Sequence, residues 1–223
     1  MPGSATDRPS SDFVAIHPVD PDDADFAAAL RAMVSSAKGA PSGPGSRAQY
    51  DALTESVPPR DDVSFEDGVL GGVPGVWAVP ASARADEAIL HLHGGWFSLG
   101  SAKAYRHLVG QIAARAGARA FIPDYRLAPE HSFPAAVDDV LASYRGLAGG
   151  VRRIALTGDS AGGNLALGLA ARVAGEAAAA DATVVGVAVI SPVTRAASPR
   201  ARFPPAESPV RAIRRPPLSA SPR

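Results

Sequence analysis

A serine held between two glycines is the strongest chemical signal in this sequence. The stretch Gly158-Asp159-Ser160-Ala161-Gly162 follows the apolar-leaning run 154–157 and leads directly into an alanine- and leucine-rich helical pattern. This order of strand, tight turn and helix is the context that a G-x-S-x-G nucleophile elbow requires. Glycines at Gly158 and Gly162 allow the sharp turn and leave the serine hydroxyl above the sheet. The pattern predicts Ser160 as the nucleophile of covalent catalysis.

A glycine-rich stretch ahead of the elbow could stabilise the charge that such a nucleophile creates. His93-Gly94-Gly95-Trp96 comes directly after the apolar run 88–92, a predicted central strand. Acyl transfer places negative charge on a carbonyl oxygen, and backbone N–H groups held in position stabilise that charge. Adjacent glycines let the backbone approach the oxygen closely. A turn without a chemical role is the alternative, and the elbow downstream argues against it.

The third stretch combines charges with an aromatic residue, Asp124-Tyr125-Arg126-Leu127-Ala128-Pro129-Glu130. It follows the predicted strand 118–122, so it lies at the carboxyl end of that strand. By charge and spacing, Arg126 is expected to pair with Asp124 or Glu130. Such pairs brace loops, and we assign the stretch a structural role.

The remaining pattern predicts the elements that position these three stretches. Two helices come first, one opening at 21–23 with an apolar stripe and one at 47–55; they are either ordinary surface helices or a cap over a pocket. Runs 63–65 and 73–79 predict an antiparallel start, with turns at Gly68 and Gly71-Gly72. Strands and helices then alternate, which predicts an α/β fold with a mostly parallel sheet covered by helices on both faces. The predicted strands are 88–92, 118–122, 154–157 and 184–190, and the predicted helices are 105–116, 135–147 and 165–180.

Charge divides the chain in two. Residues 1–192 carry 15 Lys and Arg against 21 Asp and Glu, whereas residues 193–223 carry seven Arg and seven Pro with one acid. We therefore predict a leader with cap helices at 1–58, an incomplete α/β core at 59–192 and a disordered tail at 193–223, because an Arg- and Pro-rich segment buries too little apolar area to order itself. With no cysteine, no signal peptide and no apolar run long enough to span a membrane, a cytoplasmic location is the default.

Together the three stretches resemble the bacterial hormone-sensitive-lipase-like esterases, the fold-3 branch of the α/β-hydrolases. The resemblance covers about residues 20–192 and rests on Gly158–Asn164, His93–Gly95 and Tyr125–Glu130. It implies a carboxylic ester hydrolase that works through an acyl-enzyme on Ser160. It also implies that His93 shapes the loop and is not the base, and that the oxyanion hole uses the backbone N–H groups of Gly94, Gly95, Trp96 and Ala161.

One position and one region depart from the family pattern. Many members have a third glycine where this chain has Trp96, which keeps an arylformamidase-like amide hydrolase open as an alternative. In this fold the serine is followed in the chain by an acidic residue and then a histidine. After Ser160 there is no histidine, and Asp181 comes too early to be that acid. The resemblance thus implies a C-terminally truncated member with impaired activity.

The composition of the tail suggests a cause. Out-of-frame translation of GC-rich DNA yields Arg, Pro, Ala and Ser, so we hypothesise a reading-frame shift near codon 194, which sequencing of the coding DNA would test. A native basic tail that binds nucleic acid or an acidic surface is the alternative. A non-catalytic small-molecule-binding relative is a further alternative. The expected partner is a small ester, with no metal, no cofactor, no nucleic acid and no membrane; the sequence leaves the oligomeric state open.

Overall fold

The computed structural model describes residues 43–174 and 182–191, together with Pro21, Ala24, Asp25, Ala28 and Ala32. The last four of these isolated positions are helical, in agreement with the first predicted helix. The apolar stripe of that helix, the end of the helix predicted at 165–180 and the tail at 193–223 lie outside the described residues.

Four α-helices and six strands lie within residues 43–174 and 182–191. In chain order they are α1 (Arg47–Glu55), β1 (Val63–Leu70), β2 (Val73–Pro80), β3 (Arg84–Leu92), α2 (Ala102–Ala116), β4 (Ala118–Pro123), α3 (Ala135–Ala148), β5 (Arg153–Asp159), α4 (Ser160–Ala174) and β6 (Thr183–Ile190). A 3-10 turn, Pro44–Ser46, directly precedes α1.

The six strands form one sheet in the order β1-β2-β4-β3-β5-β6. The pairs β1/β2 and β2/β4 are antiparallel, and the four strands from β4 to β6 are parallel. This confirms the predicted α/β class and the antiparallel start. The chain passes from β3 to β4 on one side and then crosses to β5 on the other, and a crevice for ligands forms at such a reversal, outside the carboxyl ends of the strands.

Helices cover both faces of the sheet. On one face α3 and α4 pack over Leu90, Leu92 and Leu156, and on the other α2 packs over Ile89 and its neighbours. Successive residues of β3 therefore enter opposite cores, which explains why central strands of this chain are continuous apolar runs. Such strands are rigid supports for the loops that follow them.

Several element boundaries differ from the sequence-based expectation. Helix α4, which follows the elbow strand, begins at Ser160. Its apolar repeat predicted a start five residues later, at Leu165. Gly68, predicted as a turn, lies inside β1, where a side chain would collide with the indole of Trp77. Close packing, and not a turn, therefore accounts for this glycine. The turn at Gly71-Gly72 is confirmed. Gly117 caps the C-terminus of α2, and all three glycines have positive φ.

The described sheet ends at β6, whose side chains are largely exposed. Val185 is 41% exposed and Val187 is 38% exposed, although both are apolar. An edge strand with unpaired backbone groups and apolar side chains is a template for pairing with another chain. We therefore expect the protein to associate through β6.

A lysine on this edge should reduce that association. We expect Val187→Lys to slow the growth of light scattering severalfold, because a charged side chain on an edge strand opposes strand pairing. Leu167→Lys is the matched control, since Leu167 is similarly exposed, at 39%, but belongs to α4 and not to the edge strand. Equal effects of the two variants would indicate a general gain in solubility and contradict association through β6.

Candidate functional site

The three sequence stretches meet at the carboxyl edge of the parallel strands. Leu92 at the end of β3 is the register partner of Gly158 near the end of β5. The loop after β3 therefore lies beside the start of α4, and β4, which pairs with β3 on its other side, brings in the segment 124–130. We call residues 93–101 the glycine loop.

Ser160 occupies a sharp junction between β5 and α4. It is the first residue of α4, is half-buried and has φ of 49°, in the left-handed region. This conformation costs an L-residue about 1–2 kcal/mol. A strained serine between a strand and a helix is the geometry of the nucleophile elbow.

The glycines of the elbow are required by close backbone approach. A Cβ at Gly162 would overlap the carbonyl oxygens of Leu92 and His93, and one at Gly158 would meet the carbonyl of Gly162. The first turn of α4 is thereby packed directly on the end of β3. A residue with a Cβ at Gly162 would push this turn away from β3 and carry Ser160 with it.

Replacing Gly162 with a residue that has a side chain should destabilise the protein. We expect Gly162→Ala to lower the free energy of unfolding by about 2 kcal/mol or more, because backbone atoms must move to make room for the methyl group. Chemical denaturation measures the effect. Gly168→Ala in the same helix is the control, since outside the helix's own backbone no described atom lies within 4 Å of its added Cβ, and it should stabilise the protein by about 0.5–1 kcal/mol. Similar losses in both variants would contradict this account.

The glycine loop is also strained. Gly95, Trp96 and Phe97 have φ of 116°, 54° and 61°, so two residues with side chains adopt left-handed conformations in succession. The carbonyl of Gly95 accepts hydrogen bonds from the N–H groups of Ser98 at 2.9 Å and Leu99 at 2.8 Å. The Trp96 side chain is 69% exposed and contacts Tyr50 of α1 edge-on, with ring centroids 6.3 Å apart.

Gly94 requires a correction as a predicted oxyanion donor. Its N–H donates to the Asp159 carboxylate at 2.9 Å and is directed at that group. The backbone N–H groups of Gly95 and Trp96 come next in the loop, and that of Ala161 lies in the first turn of α4, where helical amides lack a partner within the helix. Gly94 therefore braces the loop, whereas Gly95, Trp96 and Ala161 remain the candidate donors.

Asp159 links the elbow to α2 and α1. Besides Gly94, it accepts a hydrogen bond from the Tyr105 hydroxyl at 3.2 Å, and Tyr105 in turn lies 2.8 Å from the Tyr50 hydroxyl. Because Tyr105 gives its single proton to Asp159, Tyr50 must donate to Tyr105. Burial raises the pKa of Tyr105, as does the nearby charge of Asp159, so this phenol remains protonated. Neither tyrosine carried a recognisable signal in the sequence.

His93 is a buried structural residue. Its Nδ1 lies 2.8 Å from the Gly94 carbonyl oxygen, and its ring stacks on Tyr125 with centroids 4.3 Å apart. The Tyr125 hydroxyl donates to the His93 carbonyl at 2.7 Å. Burial lowers the pKa of His93 to about 4, so the ring is neutral at ordinary pH.

This burial predicts a loss of stability in weak acid. A histidine with a pKa of about 4 in the folded state and about 6.5 in the unfolded state takes up its proton on unfolding between these values. The free energy of unfolding should thus fall by about 2 kcal/mol as the pH drops from about 7 to about 5. A His93→Gln variant should lose this part of the pH dependence. His131→Gln, which alters an exposed histidine, should keep it. Identical slopes for the parent and His93→Gln would refute the assignment.

The pairing expected for Arg126 is wrong. Its guanidinium binds Asp139 of α3, with Nη2 at 2.7 Å from Oδ1, and its backbone N–H donates to the same carboxylate at 2.9 Å. Burial raises the pKa of Asp139, but the hydrogen bonds from Arg126 outweigh this and hold it below its usual value.

The two acids expected to pair with Arg126 have other partners. Asp124 accepts the N–H of Ala102, at the start of α2, at 2.6 Å. Glu130 pairs with Arg47 of α1 at 2.7 Å. Asp124 and Glu130 are thus bound from two different helices, which local spacing could not reveal.

The described histidines form no hydrogen bond with the Ser160 hydroxyl. Nδ1 of His91 lies 2.9 Å from the Thr157 hydroxyl, and Nδ1 of His107 lies near the carbonyls of Glu55 and Val57. Within residues 43–174 and 182–191, no hydrogen bond joins the Ser160 hydroxyl to a histidine or a carboxylate.

Among the residues that the structure describes, there is no group of three or more side chains suited to holding a metal ion. None of the helices described is long and apolar enough to cross a membrane.

The strand order, the strained serine at the β5–α4 junction and the adjoining glycine loop define an α/β-hydrolase. The family model described as alpha/beta hydrolase fold matches residues 89–215, more than half of the chain, and the chain belongs to this family. The match continues past Pro192, so the boundary predicted there stays a prediction.

Named relatives agree with the predicted resemblance. The chain is 38% identical over 130 residues to an esterase of Acinetobacter venetianus, covering 57% of this chain and 43% of the relative. It is 40% identical over 132 residues to an acetyl-hydrolase of Streptomyces hygroscopicus, covering 54% and 41%. Among solved structures, a hormone-sensitive lipase from a metagenome library has a TM-score of 0.64 at 36% identity, covering 75% of this chain and 56% of that one. The resemblance to hormone-sensitive-lipase-like esterases is confirmed, and the chain spans about two fifths of these two curated relatives.

Proposed function

We propose that this chain carries the nucleophile and the oxyanion-binding elements of a serine carboxylesterase. The observation that supports this most directly is the left-handed Ser160 at the start of α4, next to the glycine loop. Similarity to proteins named as esterases and acetyl-hydrolases supports a small ester as the substrate class.

In the proposed reaction, the Ser160 Oγ attacks the ester carbonyl carbon and its proton passes to a base. The carbonyl oxygen becomes an oxyanion and accepts hydrogen bonds from the N–H groups of Gly95, Trp96 and Ala161. Expulsion of the alcohol leaves an acyl group on Ser160, which water then removes. Asp159 and Gly94 take no part in bond making, since they bind each other and hold the loop in place.

The described residues show no base hydrogen-bonded to Ser160. A serine at its ordinary pKa is a weak nucleophile and needs a histidine oriented by an acid. Three of the described histidines, His91, His93 and His107, are engaged with other groups, and none follows Ser160 in the sequence. We therefore propose that turnover by this chain is impaired, by as much as about 10⁶ if it follows the loss of the base in a serine protease.

Ester hydrolysis and active-site labelling test this proposal together. We expect the chain to hydrolyse p-nitrophenyl acetate at close to the uncatalysed rate. Any remaining activity, and any labelling by a fluorophosphonate, should be abolished in Ser160→Ala. Ser132→Ala, which alters an exposed serine in a loop, should change neither. Turnover comparable with that of the esterase relatives would contradict the impairment, and activity that survives Ser160→Ala would contradict the site.

Two alternatives give different results in the same experiments. A non-catalytic binding protein, which the absence of a described base beside Ser160 favours, would show ligand-dependent thermal stabilisation without labelling. An arylformamidase-like enzyme, suggested by Trp96 after the two glycines, would hydrolyse an aryl formamide in preference to the ester. A cytoplasmic location and the lack of nucleic-acid and membrane partners stay predictions.

A further inference from the structure

Arg47 of α1 joins two loops at the candidate site that are distant in the sequence. Its Nε donates to the carbonyl of Ser98 in the glycine loop at 2.8 Å, and its Nη2 donates to the carbonyl of Ala128 at 3.1 Å. The same guanidinium binds both carboxylate oxygens of Glu130, at 3.0 and 2.7 Å. One side chain thus contacts the glycine loop and the segment 124–130 at the same time.

This arrangement requires an arginine. The guanidinium offers five donors in a fixed planar fork, whereas a lysine ammonium is a point charge on a flexible stem. Glu130 sets the orientation of the fork by its two-point contact. The two loops are also joined by a backbone hydrogen bond, in which the Ala128 N–H donates to the Phe97 carbonyl oxygen with an N to O distance of 2.8 Å.

Other residues on the same side of α1 reinforce the contact. Tyr50 and Asp51 lie three and four positions after Arg47, so they share its helix face. Tyr50 donates to Tyr105 and packs against Trp96, and Asp51 accepts the hydroxyl of Ser101 at 3.0 Å. The face therefore contacts the glycine loop near its middle and at its end.

We propose that Arg47 is a positioning residue that holds the glycine loop in its strained conformation. Two successive left-handed residues, Trp96 and Phe97, persist only when surrounding contacts determine their conformation. Arg47 anchors the carbonyl of Ser98, the residue that follows them directly. The catalytic effect of Arg47 rests on the proposed function. In that function, a relaxed glycine loop would move the Trp96 N–H away from the oxyanion.

Amide hydrogen exchange in the full chain tests this role without relying on activity. In Arg47→Ala, the amides of Ser98, Leu99 and Ala128 should exchange roughly tenfold faster, while those of β3 and β5 keep their rates. Arg47→Lys should behave like Arg47→Ala, since it keeps the charge but loses the fork. Arg106→Ala is the matched control: Arg106 pairs with Glu55 at the other end of α1 and touches neither loop. It should leave the three amides unchanged.

Unchanged exchange in Arg47→Ala, or equal acceleration in Arg106→Ala, would overturn the proposal. Should Arg47→Ala fail to fold, Arg47→Lys decides, and parent-like rates in that variant would refute the need for the fork. If Ser160 of the parent chain is labelled by a fluorophosphonate, Arg47→Ala should slow labelling by about tenfold with little change in the melting temperature. Absence of labelling in the parent counts against the proposed function alone, because the amide result is independent of it.

Discussion

The close approach of α4 to the end of β3 is the constraint on which the candidate site depends. Parallel pairing sets Leu92 opposite Gly158, and the missing side chain of Gly162 lets the first turn of the helix lie on the carbonyls of Leu92 and His93. Ser160 is thereby held beside the glycine loop in a left-handed conformation. Neither the strained serine nor the strained loop would keep its shape without this backbone contact, because each conformation costs free energy that its surroundings must offset.

Hydrogen bonds extend this contact into a framework around the site. Asp159 binds Gly94 and Tyr105, Tyr125 binds the carbonyl of His93, and Arg47 binds the carbonyl of Ser98. The glycine loop is therefore held from the elbow, from the segment 124–130 and from α1. Preorganised donors of this kind need no rearrangement when charge develops on a substrate, and rigid loops therefore favour acyl transfer.

Local sequence patterns specify the helices and strands of this chain, whereas contacts between distant segments specify the partners of individual side chains. Strands β4 and β6 and helices α1 and α3 were predicted to within one residue at each end, since apolar periodicity reports which faces are buried. Strand β3 begins four residues before its predicted apolar run, and β5 ends two residues after its own. The pairing of Arg126 was wrong because Asp139 comes close only after α3 folds back over the sheet. Gly94 was assigned with its neighbours as a donor, and only the position of Asp159 reveals that its N–H is already bound. Arg47, Tyr50 and Tyr105 stayed unnoticed because their partners lie more than fifty residues away.

The sequence by itself determined the family, the α/β class and the candidate nucleophile, because glycines at fixed spacing and apolar runs are read without knowledge of distant contacts. It also established that no histidine follows Ser160. Only the tertiary structure decided which groups brace the glycine loop and which of its N–H groups remain candidates for binding an oxyanion. Hydrogen bonds depend on distances of a few tenths of an ångström between segments remote in the chain, and these distances exist only after the sheet and its helices have packed.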